Sequence, residues 1–299
     1  MKPIFFIGVP RSGTTLLFES FARHEQLGWP SNYSEKFPSI PQFGFVLRLA
    51  SNRYFNITGE KKQYNRVSKL NKYLPKPAEA YNFWNYYTKT EFSRQYLVDV
   101  RADSDSIRQV RDAVCEILRW EAKQRFSAKL TGPSRINYLK SIFPDAQFIH
   151  VIRDGRAVVH SMLNTKSWTK NDFLKKPWWH GGLENNDLVD WQSANHNPAI
   201  LAAIQWRKII EIAQEEGSKC TRQGYIEIRY EDFIANPNNI LDRLYSWCGL
   251  TTSIFAHQFL DKQIPLRNMD NKFRKDMNPE TIQLISEKME PILGKLGYN

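Results

Sequence analysis

Apolar positions along this chain fall into short continuous runs separated by longer amphipathic stretches. The first run, residues 4–9, reads Ile-Phe-Phe-Ile-Gly-Val and is closed by Gly8 and Pro10. A run apolar on both sides predicts a strand covered on both faces, as in a parallel sheet. Residues 13–23 follow as a helix, with Leu16, Leu17 and Phe21 on one side. A strand-like patch ends near Trp29-Pro30. Residues 31–100 carry little periodicity and predict short helices and loops. Residues 104–125 are plainly helical: Ile107, Val110, Val114 and Leu118 recur at three- and four-residue steps, with Asp103 or Ser104 to cap the start. Further strands are expected at 126–131, 148–152 and 225–230, and further helices at 135–142, from 153–155 to about 163, and at 198–216, 239–248 and 279–294. The polar, tryptophan-rich residues 164–196 predict a mobile loop. This alternation implies an α/β fold, a parallel sheet flanked by helices on both faces, with helical and loop insertions over the site. One domain over 1–299 is the expected organisation.

Composition narrows the picture modestly. Hydrophobic residues make up 41% of the chain, enough for a packed core. The three cysteines, Cys115, Cys220 and Cys248, have neither disulfide-framework nor zinc spacing, which points to a reducing compartment and a cytoplasmic location. No apolar run approaches the ~20 residues of a membrane span. Lysine and arginine exceed aspartate and glutamate by 42 to 31, a formal charge of +11, which suits an anionic partner. A solubilising surface would give the same balance.

The chemistry is concentrated after the first strand. Gly8-Val-Pro-Arg-Ser-Gly13-Thr14-Thr15 has the spacing of a nucleotide-binding GxxxxGK[ST] loop, with Thr14 where the lysine belongs. Backbone N–H groups at the helix start still converge on an anion. The lysine that would neutralise a nucleotide's terminal phosphates is missing, which suits a less charged sulfuryl group, and Arg11 can supply charge from within the loop. The six histidines show no metal-ligand spacing, so no metal is expected.

Pro10-Arg-Ser-Gly-Thr-Thr15 resembles the 5′-phosphosulfate loop of sulfotransferases that use 3′-phosphoadenosine 5′-phosphosulfate (PAPS). Phe148-Ile-His-Val-Ile-Arg153-Asp-Gly-Arg156-Ala-Val-Val-His-Ser161 resembles their 3′-phosphate segment. Within that family the wording is most similar to the tyrosylprotein sulfotransferases, as are Arg229-Tyr-Glu-Asp232, Arg267-Asn-Met-Asp270, Lys275 and Leu296-Gly-Tyr298. The resemblance weakens over 31–128 and 163–224. It implies that Arg11, Ser12, Gly13, Thr14 and Thr15 cradle the 5′-phosphosulfate, and that Arg153 and Ser161 hold the 3′-phosphate. Tyr230 would lie beside the nucleotide and Lys275, with Arg267, would close over its phosphates. Glu35 matches the family base once a short insertion is allowed, with Glu19 and Glu25 as rivals. Lys129, one residue out of register, matches the lysine at the leaving oxygen, a role Arg11 shares.

The expected reaction is sulfuryl transfer from PAPS to a hydroxyl, leaving PAP. The acceptor would be a tyrosine in an acidic peptide, or a carbohydrate, lipid or small-molecule alcohol. Neither nucleic acid nor a membrane span is expected, and a homodimer is left open. A P-loop kinase or NTPase, with Asp154 as its Mg²⁺ ligand, and a non-enzymatic binder of nucleic acid or acidic protein are the alternatives.

Overall fold

The computed structural model describes residues 1–299 apart from 53, 61–68, 167, 169–172, 174, 264, 265, 267–270 and 299. Five parallel strands are joined in the order β2-β3-β1-β4-β5. These are β1 (Ile4–Gly8), β2 (Leu27–Gly28), β3 (Arg125–Thr131), β4 (Gln147–Ile152) and β5 (Tyr225–Arg229). β1 is the innermost strand. Phe6 pairs with Lys129 of β3 on one side and with Ile149 of β4 on the other. Every residue of β1 and β4 is buried, which explains why their sequences show no polar alternation.

Alternate residues of β1 serve opposite layers. Phe5 and Ile7 pack with Phe126, Ala128 and Phe148 beneath α5 (Ser104–Glu121), which contributes Val110, Val114 and Ile117. Ile4 and Phe6 face the other way, against Leu17, Phe18 and Phe21 of α1 (Thr14–Phe21) and Leu241, Leu244 and Tyr245 of α11 (Pro237–Cys248). A third apolar cluster joins α7 (Gly155–Leu163), α9 (Pro198–Ser218) and α14 (Pro279–Met289) through Val158, Met162, Trp206, Ile285 and Met289. Completing the numbering used below are α2 (Asn32–Lys36), α3 (Phe45–Ala50), α4 (Tyr81–Thr88), α6 (Ile136–Ile142), α8 (Asn185–Ser193), α10 (Tyr230–Ala235), α12 (Ile254–Asp261), α13 (Lys272–Asp276) and α15 (Ile292–Lys295).

The structure corrects four expectations. Residues 164–196 are not all loop, because α8 is capped at Glu184, whose backbone N–H donates to Asp187. Residues 279–294 form two helices, broken where Pro291 has no N–H to give and the Glu290 backbone is extended. The helix expected over 104–125 stops at Glu121, where Ala122 turns left-handed with φ 53°. Tyr230 opens α10 rather than ending β5. Arg267–Asp270 lies outside the described residues.

The carboxyl ends of β1, β3, β4 and β5 lie along one edge. β1 sits where the chain order reverses, with β3 on one side and β4 on the other, the position at which open parallel sheets bind ligands.

Candidate functional site

The loop between β1 and α1 is held in an unusual backbone. Arg11 has φ 75° and Gly13 φ 82°, both in the left-handed region. Only a glycine fits at position 13, because a Cβ there would lie 2.1 Å from Cδ2 of Tyr230. The Ser12 amide donates to the Val9 carbonyl (3.2 Å), which closes the turn. The amides of Gly13, Thr14 and Thr15 precede the helical ladder of α1 and are the natural donors to an anion. The hydroxyls of Ser12 and Thr14 are buried and have no hydrogen-bond partner. Two unsatisfied hydroxyls beside free helix-start amides fit a tetrahedral anion, which would satisfy them.

β4 and β5 complete this loop from the far side. Arg153, directly after β4, donates Nη1 to the Arg11 carbonyl (3.1 Å) and stacks its guanidinium 4.5 Å from the Tyr230 ring centroid. Tyr230 itself lies against Gly13. Arg11 donates Nε to Ser161 Oγ (3.0 Å), two turns into α7. The turn after β4 is fixed by Trp206 Nε1, which donates to the Arg153 carbonyl (3.2 Å). Arg11, Gly13, Arg153, Ser161 and Tyr230 thus form one chain of contacts. Asp154 takes no part in it. Its carboxylate accepts the Arg156 amide (2.9 Å) and both Arg156 guanidinium donors, Nε (3.0 Å) and Nη2 (2.8 Å). Both of its oxygens are engaged by a neighbouring cation, a poor arrangement for a Mg²⁺ ligand. Among the described residues no group of three or more His, Cys, Asp or Glu side chains is placed to hold a metal ion.

β3 brings the remaining cation. Ser127, Lys129 and Thr131 alternate with apolar Phe126, Ala128 and Leu130, so the polar set turns toward α1. Lys129 is 3% exposed at its side chain and donates to Thr15 Oγ1 (2.9 Å). Its ammonium also lies 3.2 Å from Glu79 Oε1. The Thr131 hydroxyl donates to the same Glu79 oxygen, and Tyr81 OH donates to the Thr131 carbonyl. Burial and the Glu79 charge push the Tyr81 phenol well above its usual range. Sequence reasoning passed over Glu79. It lies in a stretch without periodicity, directly after Pro75-Lys-Pro77-Ala.

Aromatic side chains wall the space beyond β3. Trp179 packs on Gly132, where a Cβ would stand 2.8 Å from the indole. Arg94 stacks 3.7 Å over Trp178 and donates Nε to its carbonyl (2.8 Å). Lys175, Lys176 and His180 are exposed along this wall. Two expected site residues stand apart from the loop contacts. Glu35 on α2 accepts the Asn82 amide through Oε2 (3.1 Å) and receives Asn82 Nδ2 on its carbonyl (3.2 Å), so its carboxylate caps α4. Lys275 is exposed on α13, which docks on α7 through buried Phe273 and a His160–Asp276 contact of 3.2 Å. The rivals Glu19 and Glu25 lie elsewhere: Glu19 is buried on α1, and Glu25 follows it next to His24.

Comparisons with known proteins agree with this geometry. The family model for the sulfotransferase family matches residues 3–253. Protein-tyrosine sulfotransferase 2 of Gallus gallus is 21% identical over all of this chain and 70% of its own length. Protein-tyrosine sulfotransferase 1 of Danio rerio is 28% identical over all of this chain and 73% of its own. Among solved structures, sulfotransferase STF9 from Mycobacterium avium superposes with a TM-score of 0.59 at 16% identity, covering 99% of this chain and 76% of that one.

Proposed function

We propose, from the premise that this chain belongs to the sulfotransferase family and moves a sulfuryl group from PAPS, that its acceptor is a tyrosine hydroxyl in an acidic peptide. The observation that supports the donor side best is the pair of buried, unpartnered hydroxyls, Ser12 and Thr14, beside the amides that open α1. In this reading Ser12, Gly13, Thr14 and Thr15 hold the 5′-phosphosulfate. Arg153 and Ser161 hold the 3′-phosphate, and Tyr230 stacks against Arg153. Arg11 and Lys129 stabilise charge on the leaving oxygen. Lys275 would reach the phosphates from α13. The acceptor enters past Trp178 and Trp179, where Arg94, Lys175 and Lys176 offer positive charge to an acidic peptide. Glu35 is the sequence's candidate for the base.

The three cysteines form no disulfide, which supports a reducing compartment such as the cytoplasm. Among the described residues no helix is long and apolar enough to cross a membrane.

Thermal unfolding with nucleotides tests the donor site. A ligand bound only by the native state stabilises it by RT ln(1 + [L]/Kd), about 2.7 kcal/mol at a hundred times Kd. PAP should raise Tm strongly, and ATP with Mg²⁺ far less. Adenosine 5′-phosphosulfate, which lacks the 3′-phosphate, should fall between. Equal shifts with PAP and adenosine 5′-phosphosulfate would remove Arg153 and Ser161 from the site.

A further inference from the structure

We infer that Glu79, not Glu35, takes the proton of the acceptor hydroxyl, with Lys129 linking it to the donor loop; this rests on the sulfuryl-transfer reading above. Three observations carry it. Glu79 sits at the carboxyl end of β3, on the ligand-binding edge of the sheet, where it contacts Thr131 and Lys129. Lys129 in turn touches Thr15 at the first turn of α1, so one carboxylate, one ammonium and the phosphosulfate loop form a continuous line. The two members of the ion pair also differ in access. The Lys129 side chain is 3% exposed and that of Glu79 is 21%, so the carboxylate is the member an incoming hydroxyl can reach. The Glu35 carboxylate is engaged elsewhere, accepting the Asn82 amide at the start of α4.

The chemistry balances without a redox partner. The acceptor O–H bond breaks and its proton passes to a Glu79 oxygen. The acceptor oxygen bonds to sulfur as the bond from sulfur to the bridging oxygen of PAPS breaks. That electron pair stays on the 5′-phosphate of PAP, next to the Lys129 ammonium. A cation 3.2 Å from Glu79 Oε1 fixes the carboxylate at the carboxyl end of β3. The same cation then answers the negative charge that arrives on the leaving oxygen. Glu79 is therefore placed to sense both bonds, the one forming and the one breaking.

The test follows PAP formed from PAPS, first with water alone as acceptor and then with phenols of graded acidity. Glu79→Gln should lower the rate about a hundred- to ten-thousandfold. PAP affinity by calorimetry should stay within a few-fold of wild type. The loss should be smallest for a nitrophenol and largest for water and a tyrosine-like phenol near pKa 10, since an acidic acceptor needs less help. Glu79→Asp keeps the charge and should recover part of the rate. Three results would overturn the assignment: wild-type turnover in Glu79→Gln, an equal loss on every acceptor accompanied by weak PAP binding, or a loss of this size in Glu35→Gln alone. A wild-type enzyme that binds PAP yet forms none from PAPS with any of these acceptors would overturn the transfer reading itself.

Discussion

His150 illustrates what one buried side chain does to this molecule. It lies in β4 with no exposure, and Nδ1 meets the Tyr225 hydroxyl at 2.7 Å. That hydroxyl donates to Glu227 (2.7 Å), so it accepts from His150 Nδ1–H, and Nε2 is left buried without a partner. Burial pushes the imidazole down from 6.5 to about 4, and the Glu227 charge offsets this only in part. The sign follows directly. Below pH 6.5 the unfolded chain binds a proton that the native chain refuses until about pH 4. The stability that His150 contributes is complete above pH 6.5 and is lost as the pH falls to 4, by up to about 1.4 kcal/mol per pH unit. Thermal melts from pH 7 to pH 5 should therefore show a falling Tm, and His150→Phe should flatten that slope. An unchanged slope in the variant would assign the acid limb to other groups. The residue is structural, although it lies three positions from Arg153 inside the most informative segment of the sequence. Proximity in sequence to an arginine proposed to bind phosphate is no guide to chemistry when the side chain points into a layer with no opening.

The loop before α1 is the element on which the donor site depends. Gly13→Ala would add a Cβ 2.1 Å from the Tyr230 ring at φ 82°, so α10 and the loop would have to separate. The expected outcome is loss of PAP binding by calorimetry at least ten-fold, with a folded far-UV spectrum. Wild-type affinity in that variant would mean that the loop tolerates movement this contact argues against. This element was legible in the sequence because its requirements are local: a buried strand, a glycine that must turn, and a helix start. The placement of Arg153 at a strand end and of Ser161 two turns into the next helix was legible for the same reason. The helices α5 and α9 were equally plain from their apolar spacing. What escaped had no local signature. Glu79 acquires meaning only through Lys129, fifty positions on, and through the fold that turns Ser127, Lys129 and Thr131 toward α1. The alternation Phe-Ser-Ala-Lys-Leu-Thr in β3 was the available clue, since a lysine at a buried position demands a partner. The helix α8 escaped because its first turn is Asn-Asn-Asp and only Asp187 and Trp191 are buried along it.

At the scale of the whole molecule, charge and topology have separate consequences. The chain carries a formal +11, and basic side chains stand along the aromatic wall beyond β3. An acidic acceptor peptide should be drawn in by that field, which salt screens within about 8 Å at physiological ionic strength. Raising salt from 0.05 to 0.5 M, roughly a tenfold span in ionic strength, should lower kcat/KM for an acidic tyrosine peptide several-fold. It should leave kcat/KM for a neutral phenol nearly unchanged. Equal effects on both would argue against a peptide acceptor of that charge. Topology acts before any acceptor arrives. The innermost strand, β1, pairs with residues 127–131 of β3 and 147–150 of β4, both far later in the chain. During synthesis Ile4, Phe5, Phe6 and Ile7 therefore leave the ribosome well ahead of both neighbours. At about 5–20 residues per second they wait roughly six to twenty-five seconds for β3 alone. For that interval the nascent chain displays an apolar strand with both edges open, a natural target for a chaperone and for self-association. The arrangement that sets the donor loop at the centre of the sheet thus leaves the strand from which that loop springs unpaired until both of its neighbours have been made.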